Sequence, residues 1–425
     1  MDVFGSELEK SNDDIGQKVL NAPDVRKTIA RIVSYNGRHL ESVPEAVGDA
    51  EVERLNDKAR KYCEAMAGTI EPSMLAKGTE IAKDFVGRTF SGIAVRGLEQ
   101  LVDENATVAD ILNRGSVVII ADHPSYANIP VLKVVYSQLG LENRMYFIAG
   151  KNVVNAENPT TRAWLKPLVT GSGAIFIERQ LPTGREDGVL YASVLDAILA
   201  ELLSKKSLIT IFRGKGRDKG DKTEALNSIM TRAFLNNAEY IVPLAQSHYI
   251  IPDDHQLATH EHGRGGSSFE AMFAVEGTEG GPVYISFGVP IRASPYRGAS
   301  KKELTAVEQE ITYRISRLVT LTPTYVLASA VKSSGMENFT IGQILSPVND
   351  ILVHAKENNL CIAPDLNGTS DLQESVYNAA EALVRRGALS RLGTQYDGNR
   401  NEQKAMLGFY AAKIEGALNG KKPAI

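Results

Sequence analysis

The sequence predicts an α/β fold in which a mostly parallel sheet is flanked by helices. Through the middle of the chain, short β-rich runs alternate with longer amphipathic stretches, and apolar residues at helical spacing dominate both ends. In folds of this kind, ligands bind beyond the carboxyl ends of the strands. The β-rich runs are VRGLEQL, SVVIIAD, RMYFIAG, AIFIERQ, SLITIFRG, EYIVPLAQ and VYISFGVP.

The same patterns divide the chain into three predicted regions. Helical spacing from about residue 7 to about residue 90 predicts an N-terminal helical bundle, which we assign to residues 1–105. The β-rich middle predicts an α/β domain over residues 106–300, and the return of helical spacing predicts a helical C-terminal region over residues 301–425. The glycine-rich stretch 260–268 is interpreted as a surface loop.

Composition narrows the classes of protein to consider. A formal charge of −4 over 425 residues provides no general basic field for nucleic acid, so an anionic ligand needs a local basic cluster. Only two cysteines occur, which excludes a disulfide framework and a cysteine-rich zinc site. The acidic first residues lack the pattern of a signal peptide, and no apolar run is long enough to span a bilayer. We therefore expect a cytoplasmic protein whose contact with membranes, if any, is peripheral.

A histidine follows the most apolar of the predicted strands. SVVIIA runs into Asp122-His123-Pro124-Ser125, and helical character resumes after Pro130. A histidine at a strand end can face a cleft, and its pKa near neutrality suits removal of a proton from an alcohol. Taken alone, the position is explained better by a capping or core histidine, and Asn128 taken alone is explained better as a helix cap.

The surrounding residues resemble those of the glycerolipid acyltransferase superfamily. HPSYAN, at 123–128, resembles the H-x-x-x-x-D motif of that family, and GSGAIFIERQ, at 171–180, resembles its second block. FRGKGRDKGD, at 212–221, is similar to the third block of plastid glycerol-3-phosphate acyltransferases, and IVPLAQSHYIIPDD, at 241–254, is similar to the fourth. VYISFGVPI, at 283–291, is similar to the strand that follows the fourth block in membrane-associated bacterial members. The resemblance therefore covers roughly residues 110 to 292.

This resemblance implies an enzyme, a glycerol-3-phosphate 1-O-acyltransferase that performs the first step of glycerophospholipid synthesis. His123 would be the general base, and position 128 would carry the acid that orients it. The acyl donor would be a thioester of acyl carrier protein or coenzyme A, and no cofactor or metal is implied. Glycerol-3-phosphate is the expected acceptor, and nucleic acid is not an expected partner.

Glycerol-3-phosphate is a small dianion, and its site needs fixed positive charges near the base. Arg179 closes one predicted strand, and a glycine-punctuated basic loop follows another. The resemblance favours Arg179 and Arg217 as phosphate contacts, adds Lys219 at the second basic position of the plastid-type motif, and places Lys151 beside the site. A solvated basic turn is the alternative interpretation of the loop, whose cations are Arg213, Lys215, Arg217 and Lys219.

The main departure from the family pattern is Asn128, which stands where the family has aspartate. An amide can accept a hydrogen bond from the imidazole, but it carries no charge to stabilise an imidazolium. Asp122 is a poor substitute, because neighbouring side chains at a strand end point to opposite sides. A weak or inactive relative that binds a phosphorylated glycerol or lipid is therefore a second hypothesis. A third is an acyltransferase whose acceptor is lysophosphatidate or dihydroxyacetone phosphate.

Four further histidines occur in one part of the sequence. Their spacing lacks the strong acid or cysteine set of a metal site, so we interpret them as surface residues. They are His248, His255, His260 and His262.

Overall fold

A computed structural model describes seven stretches of the chain. They are residues 15–37, 45–150, 159–178, 184–213, 228–259, 280–368 and 371–420. The predicted loop at 260–268 and five of the predicted phosphate contacts lie outside these ranges. The five contacts are Lys151, Arg179, Lys215, Arg217 and Lys219.

The N-terminal part of the described chain is helical, as its apolar spacing predicts. Its helices are α1 (residues 15–21), α2 (Pro23–Gly37), α3 (Glu45–Met66) and α4 (Pro72–Thr89). The helices α2 and α3 contact each other and pack against a later helix, α8 (Arg185–Ser204), whereas α4 packs against α6 (Asn128–Gln138). The helices that we assigned to an N-terminal bundle therefore help to cover the sheet. Their apolar faces are buried against α8 and α6, which flank it.

The central sheet is mostly parallel, which confirms the predicted fold class. Along the sheet the strand order is β1-β9-β8-β4-β7-β5-β6, and β10 pairs with β8. All neighbours on this path run parallel except β8 and β9, while β10 is antiparallel to β8. The strands are β1 (Gly92–Arg96), β4 (Val117–Ala121), β5 (Met145–Gly150), β6 (Ala174–Ile177), β7 (Leu208–Phe212), β8 (Tyr240–His248), β9 (Pro282–Phe287) and β10 (Ile291–Arg292).

The first strand differs from its prediction. VRGLEQL was expected to be β-rich over 95–101, but β1 ends at Arg96 because Gly97 turns the chain with a φ of +86°. A Cβ at Gly97 would lie 2.0 Å from the carbonyl oxygen of Phe287, so a side chain does not fit. The strand also lies before the predicted boundary at residue 105 and pairs with β9, so the sheet begins earlier than expected.

Strand β4 is apolar on both faces because both faces are covered. Val117, Ile119 and Ala121 join a core with α4 and α6, whereas Val118 and Ile120 join a second core with α8 and the C-terminal helices. All five residues are fully buried. The remaining elements of this region are the strands β2 (Leu101–Asp103) and β3 (Ala106–Thr107) and the helices α5 (Val108–Arg114), α7 (Pro159–Gly171), α9 (Ser228–Asn237) and α10 (Asp254–Thr259).

The C-terminal region is mainly helical, as predicted. Its first helix begins at a capping box in which Ser300 and Glu303 exchange side-chain and backbone hydrogen bonds. The helices are α11 (Lys301–Leu318), α12 (Pro323–Ser334), α13 (Ile341–Glu357), α14 (Leu372–Arg385) and α15 (Asn401–Asn419). The short strands described with them are β11 (Thr320–Leu321), β12 (Asn338–Thr340), β13 (Cys361–Ile362), β14 (Ser390–Leu392) and β15 (Gln395–Asp397).

This helical region is attached to the chain just after β8 through Asp254, which is fully buried. Arg386 donates from Nε to Asp254 Oδ2 over 3.1 Å, and the Tyr410 hydroxyl donates to the same oxygen over 2.6 Å. The Tyr410 hydroxyl also accepts the backbone N–H of Ile251. A buried carboxylate needs such partners, so this cluster holds the C-terminal helices against the carboxyl edge of the sheet.

No helix within the described ranges is both long and apolar enough to cross a bilayer.

Candidate active site

The candidate site is the turn that joins β4 to α6. Strand β4 lies between β8 and β7 near the middle of the sheet, so the turn emerges at the centre of its carboxyl edge. His123 is the second residue after the strand and is half-buried, and its Nδ1 atom is shielded from solvent. The fold therefore presents this histidine where ligands of parallel sheets bind.

The imidazole of His123 lies against an aromatic ring from the neighbouring strand. Its centroid is 4.4 Å from that of Phe212, at an interplanar angle of 21°. The pairing of β4 with β7 sets Ala121 opposite Phe212, which brings the two strand ends together. Tyr126 approaches the imidazole from another direction, with centroids 6.2 Å apart. These contacts restrict the orientation of the ring.

A buried carboxylate holds the backbone of the turn. Asp253, which is 2% exposed, accepts a hydrogen bond from Ser125 Oγ at 2.6 Å and another from the Tyr126 backbone N–H at 3.3 Å. Ser125 Oγ in turn accepts the N–H of Ala127 at 3.0 Å. Hydrogen bonds to an ionised group are stronger than neutral ones, so this network fixes the conformation of the residues around His123.

Asn128 is fully buried and is the first residue of α6. Its Oδ1 accepts the backbone N–H of Ser125 at 2.6 Å, and no side chain caps this helix. The backbone N–H of Ser125 can donate to the side-chain oxygen of Asn128 but not to its NH2 group. This bond therefore also fixes the orientation of the Asn128 side-chain amide. Within the described chain, the Nδ2 group is buried without a hydrogen-bond partner. The amide oxygen of Asn128 therefore binds the backbone of the turn and not the imidazole of His123. The interpretation of Asn128 as a helix cap is wrong, because no side-chain hydrogen bond caps α6 in the described chain.

Asp122 is directed toward β8. Its Oδ1 accepts the backbone N–H of Gln246 at 2.9 Å, and its own N–H donates to the Leu244 carbonyl at 3.3 Å. This carboxylate therefore joins the turn to the neighbouring strand.

Arg213 is the one predicted phosphate contact that the described ranges include. It is 8% exposed, and its backbone N–H donates to the carbonyl of Ala121 at 2.8 Å. Its place directly after β7 brings it to the same sheet edge as His123, because the carboxyl ends of parallel strands share one edge.

A cleft opens beside the turn, between the carboxyl edge of the sheet and the helices α11, α12 and α15. Its lining combines charged, polar and apolar side chains. The lining residues are Asp122, Pro124, Arg213, Gln246, Ser316, Val319, Tyr325, Ala412, Lys413 and Gly416.

Sequence reasoning missed several residues of this site. Phe212 and Asp253 lie within the motifs FRGKGRDKGD and IVPLAQSHYIIPDD, so a signal was present, but their contacts depend on strand order. Gln246, which lines the cleft from β8, lies within the second of these motifs as well, and its place in the cleft likewise depends on strand order.

The interpretation of His248 as a surface histidine is wrong. It is fully buried at the end of β8, and its ring centroid lies 5.5 Å from that of Phe90. Burial lowers the pKa of its imidazole to about 4, so it is neutral at physiological pH. His255 is exposed on α10, while His260 and His262 lie outside the described residues. Within those residues, no group of three or more histidine, cysteine, aspartate or glutamate side chains is placed to hold a metal ion.

The fold and the turn together define the class of protein: an α/β protein that presents a histidine at the carboxyl end of the central strand of its sheet. The family model of the acyltransferases matches residues 92–247, from the start of β1 to the penultimate residue of β8. The match covers rather more than a third of the 425 residues and includes His123, Asn128 and Phe212. The chain therefore carries an acyltransferase domain, which supports its place in the glycerolipid acyltransferase superfamily. A comparison with curated proteins found none that matches.

Proposed function

We propose that this chain transfers a fatty acyl group from an acyl thioester to the sn-1 hydroxyl of glycerol-3-phosphate, in the cytoplasm or at a membrane surface. The observation that carries the proposal is the position of His123. It stands at the carboxyl end of the central strand, inside the segment that matches the acyltransferases. The donor is a thioester of acyl carrier protein or of coenzyme A.

In this mechanism the imidazole of His123 removes the proton of the acceptor hydroxyl while its oxygen attacks the thioester carbonyl carbon. Nδ1 is shielded, so Nε2 is the nitrogen that meets the hydroxyl. The tetrahedral intermediate collapses with cleavage of the carbon–sulfur bond, and the leaving thiolate takes the proton from the imidazolium. The products are the acylated glycerol-3-phosphate and a free thiol, and no cofactor takes part.

Phosphate binding is assigned to basic residues of the same sheet edge. Arg213 supports this assignment, because it follows β7 beside the histidine turn. The other assigned contacts are Arg179, Arg217, Lys219, Lys151 and Lys215, which lie outside the described residues.

The test is thiol release from acyl-coenzyme A and from acylated carrier protein in the presence of glycerol-3-phosphate. Turnover should require glycerol-3-phosphate and disappear in His123→Ala. The matched control is His354→Ala, which changes an exposed histidine on α13 and should keep full turnover. Replacing glycerol-3-phosphate by lysophosphatidate or dihydroxyacetone phosphate identifies the acceptor, and equal activity of His123→Ala and the natural protein would refute the mechanism.

A second candidate function is binding of a phosphorylated glycerol or lipid by a catalytically weak relative. Asn128 favours it, because a neutral amide stands where the family has a carboxylate and its oxygen is bound to Ser125. Saturable binding of glycerol-3-phosphate with no thiol release from any donor would support this function over acyl transfer.

A further inference from the structure

A short segment after β8, residues 251–254, contacts both the histidine turn and the C-terminal helices. All four of its residues are buried. The acyltransferase match ends at residue 247, so this segment and the C-terminal helices both lie outside it. The family match therefore assigns no role in the reaction to either.

On one side, the segment binds the histidine turn through Asp253. The carboxylate accepts hydrogen bonds from Ser125 Oγ at 2.6 Å and from the Tyr126 N–H at 3.3 Å. These partners are the second and third residues after His123, and the ring of Tyr126 lies edge-on to the imidazole. The orientation of His123 therefore depends on where Asp253 is held.

On the other side, Arg386 binds the two residues that flank Asp253 in sequence. Arg386 follows the last residue of α14. Its Nη2 donates to the Pro252 carbonyl at 3.0 Å, and its Nε donates to Asp254 Oδ2 at 3.1 Å. Nη2 also forms an ion pair with Asp254 Oδ1. A guanidinium can meet these acceptors together because its donors form a rigid fork, so one side chain fixes the chain on both sides of Asp253.

We infer that Arg386 is a positioning residue for His123, which it holds through residues 252–254 and the turn. Each step of this path is a hydrogen bond or a peptide link, and such contiguous contacts can carry coupling between distant groups. A small displacement of a catalytic base is enough to slow a reaction. The C-terminal helices are thus part of the catalytic apparatus. The inference rests on the proposed function, because it takes His123 as the base.

Hydrogen exchange tests the link without any turnover. The peptide 122–128 contains the N–H groups of Ser125, Tyr126 and Ala127, which donate to side chains of this network. Arg386→Lys keeps a positive charge opposite Asp254 but replaces the fork by a single ammonium group. Exchange of the three N–H groups should become at least about tenfold faster in this variant, because the loss of one charged hydrogen bond loosens the turn. Exchange in α5 should not change.

The matched control is Arg317→Ala. Arg317 also joins C-terminal helices, by donating to the carbonyls of Ala417 and Asn358, but these acceptors lie outside residues 251–254. The variant should unfold at a lower temperature and leave exchange in the peptide 122–128 unchanged. Equally fast exchange in both variants would indicate a general loosening and would refute the positioning role.

Steady-state kinetics then measure the effect on the reaction. Arg386→Lys should lower kcat about tenfold and change either KM by less than about twofold, because the change displaces the base and not the substrates. Combined with Ser125→Ala, it should lose less than the product of the two single effects, since both changes act on the same turn. Arg317→Ala should not alter the effect of Ser125→Ala.

The outcomes separate the link from the reaction. Faster exchange in Arg386→Lys, when the natural protein shows no turnover, would uphold the link and refute the proposed reaction. Unchanged exchange in folded Arg386→Lys would refute the link, even if His123-dependent turnover is present. Faster exchange with unchanged kcat would refute the positioning role.

Discussion

The imidazole of His123 and the ring of Phe212 stack with centroids 4.4 Å apart and planes 21° apart. An aromatic contact of this kind is worth about 0.5–1.5 kcal/mol beyond the area it buries. Because it comes from the adjacent strand, it orients a side chain that the turn alone would leave with rotational freedom.

Phe212→Leu should therefore lower kcat by about threefold to tenfold, since a less well-oriented base reaches the hydroxyl less often. The measurement is kcat for acyl transfer across pH, together with thermal unfolding. Phe339→Leu is the control, because Phe339 stacks on Tyr396 in the C-terminal region with centroids 5.7 Å apart. It should lower stability and leave the pH profile of kcat unchanged. Equal kinetic effects of the two variants would show that the stacking on His123 has no specific role.

The hydrogen bond between Ser125 and Asp253 can be tested by a double-mutant cycle. Ser125→Ala and Asp253→Ala should each lower the free energy of unfolding, by about 1.5–3 kcal/mol for the loss of a bond to a charged acceptor. The double variant should lose less than the sum of the two, because both changes remove the same bond. Urea unfolding gives the free energies, and strict additivity would contradict the network.

Asn128→Asp should raise turnover at least about tenfold, because a carboxylate can stabilise the imidazolium that forms during the reaction. One carboxylate oxygen can keep the bond to the Ser125 N–H, while the other replaces the unpartnered Nδ2 group. The new charge is buried, so stability should fall by about 1–3 kcal/mol. Thiol release and thermal unfolding measure the two effects. Asn128→Ala is the comparison and should lower turnover, and a rise in both variants would argue against the charge as the cause.

Lys133 lies within α6 and is 6% exposed. Burial lowers the pKa of its ammonium group to about 8, and nearby Glu142 opposes that shift. The unfolded chain therefore binds more protons than the folded chain between pH 8 and about 10.5, so the stability of the natural protein should gain from Lys133 as pH rises through this window. Below pH 8 the buried charge costs about 3 kcal/mol.

Lys133→Met keeps an unbranched apolar side chain of nearly the same length and removes its charge. It should raise the free energy of unfolding at pH 7 and abolish this gain between pH 8 and 10.5. Urea unfolding at a series of pH values measures both effects. Lys332→Met, at an exposed position on α12, should keep the slope of the natural protein. If the free energy of unfolding of Lys133→Met still rises between pH 8 and 10.5, another titratable group causes the rise.

Tyr410→Phe tests the attachment of the C-terminal helices. It removes the 2.6 Å bond to Asp254 and leaves the Ile251 N–H without its acceptor, so stability should fall by about 1–3 kcal/mol. Tyr377→Phe is the control, because Tyr377 is 39% exposed and its hydroxyl accepts a hydrogen bond from the exposed Arg391. Thermal unfolding of both variants checks the prediction, and equal shifts would contradict it.

The parts of the fold that the sequence predicts are those whose signals are local. Val117–Ala121 has no polar position, which indicates a strand buried on both faces, and the spacing in 401–418 indicates a helix. The position of His123 after the strand follows from the same local pattern.

The contacts around the site depend on pairing across long distances in the chain. Ser125 and Asp253 are 128 residues apart, and only the strand order brings them together. For Asn128 the sequence indicates a place at a helix start, but the choice of the Ser125 N–H as partner depends on the exact path of the turn. Gln246 faces a cleft whose other wall is formed by α15, so its neighbours could not be read from its own segment.

The two walls of the cleft come from distant segments of the chain, so they form at different stages of folding. The sheet edge is complete once β8 and β9 have paired, but the opposite wall arrives with α15, and its bond from Tyr410 to Asp254 closes a loop of 156 residues. Contacts of such long sequence separation form late, because their entropy must be lost before they are made. A refolding chain should therefore recover β-sheet circular dichroism before the ring of Tyr410 becomes buried beside Asp254.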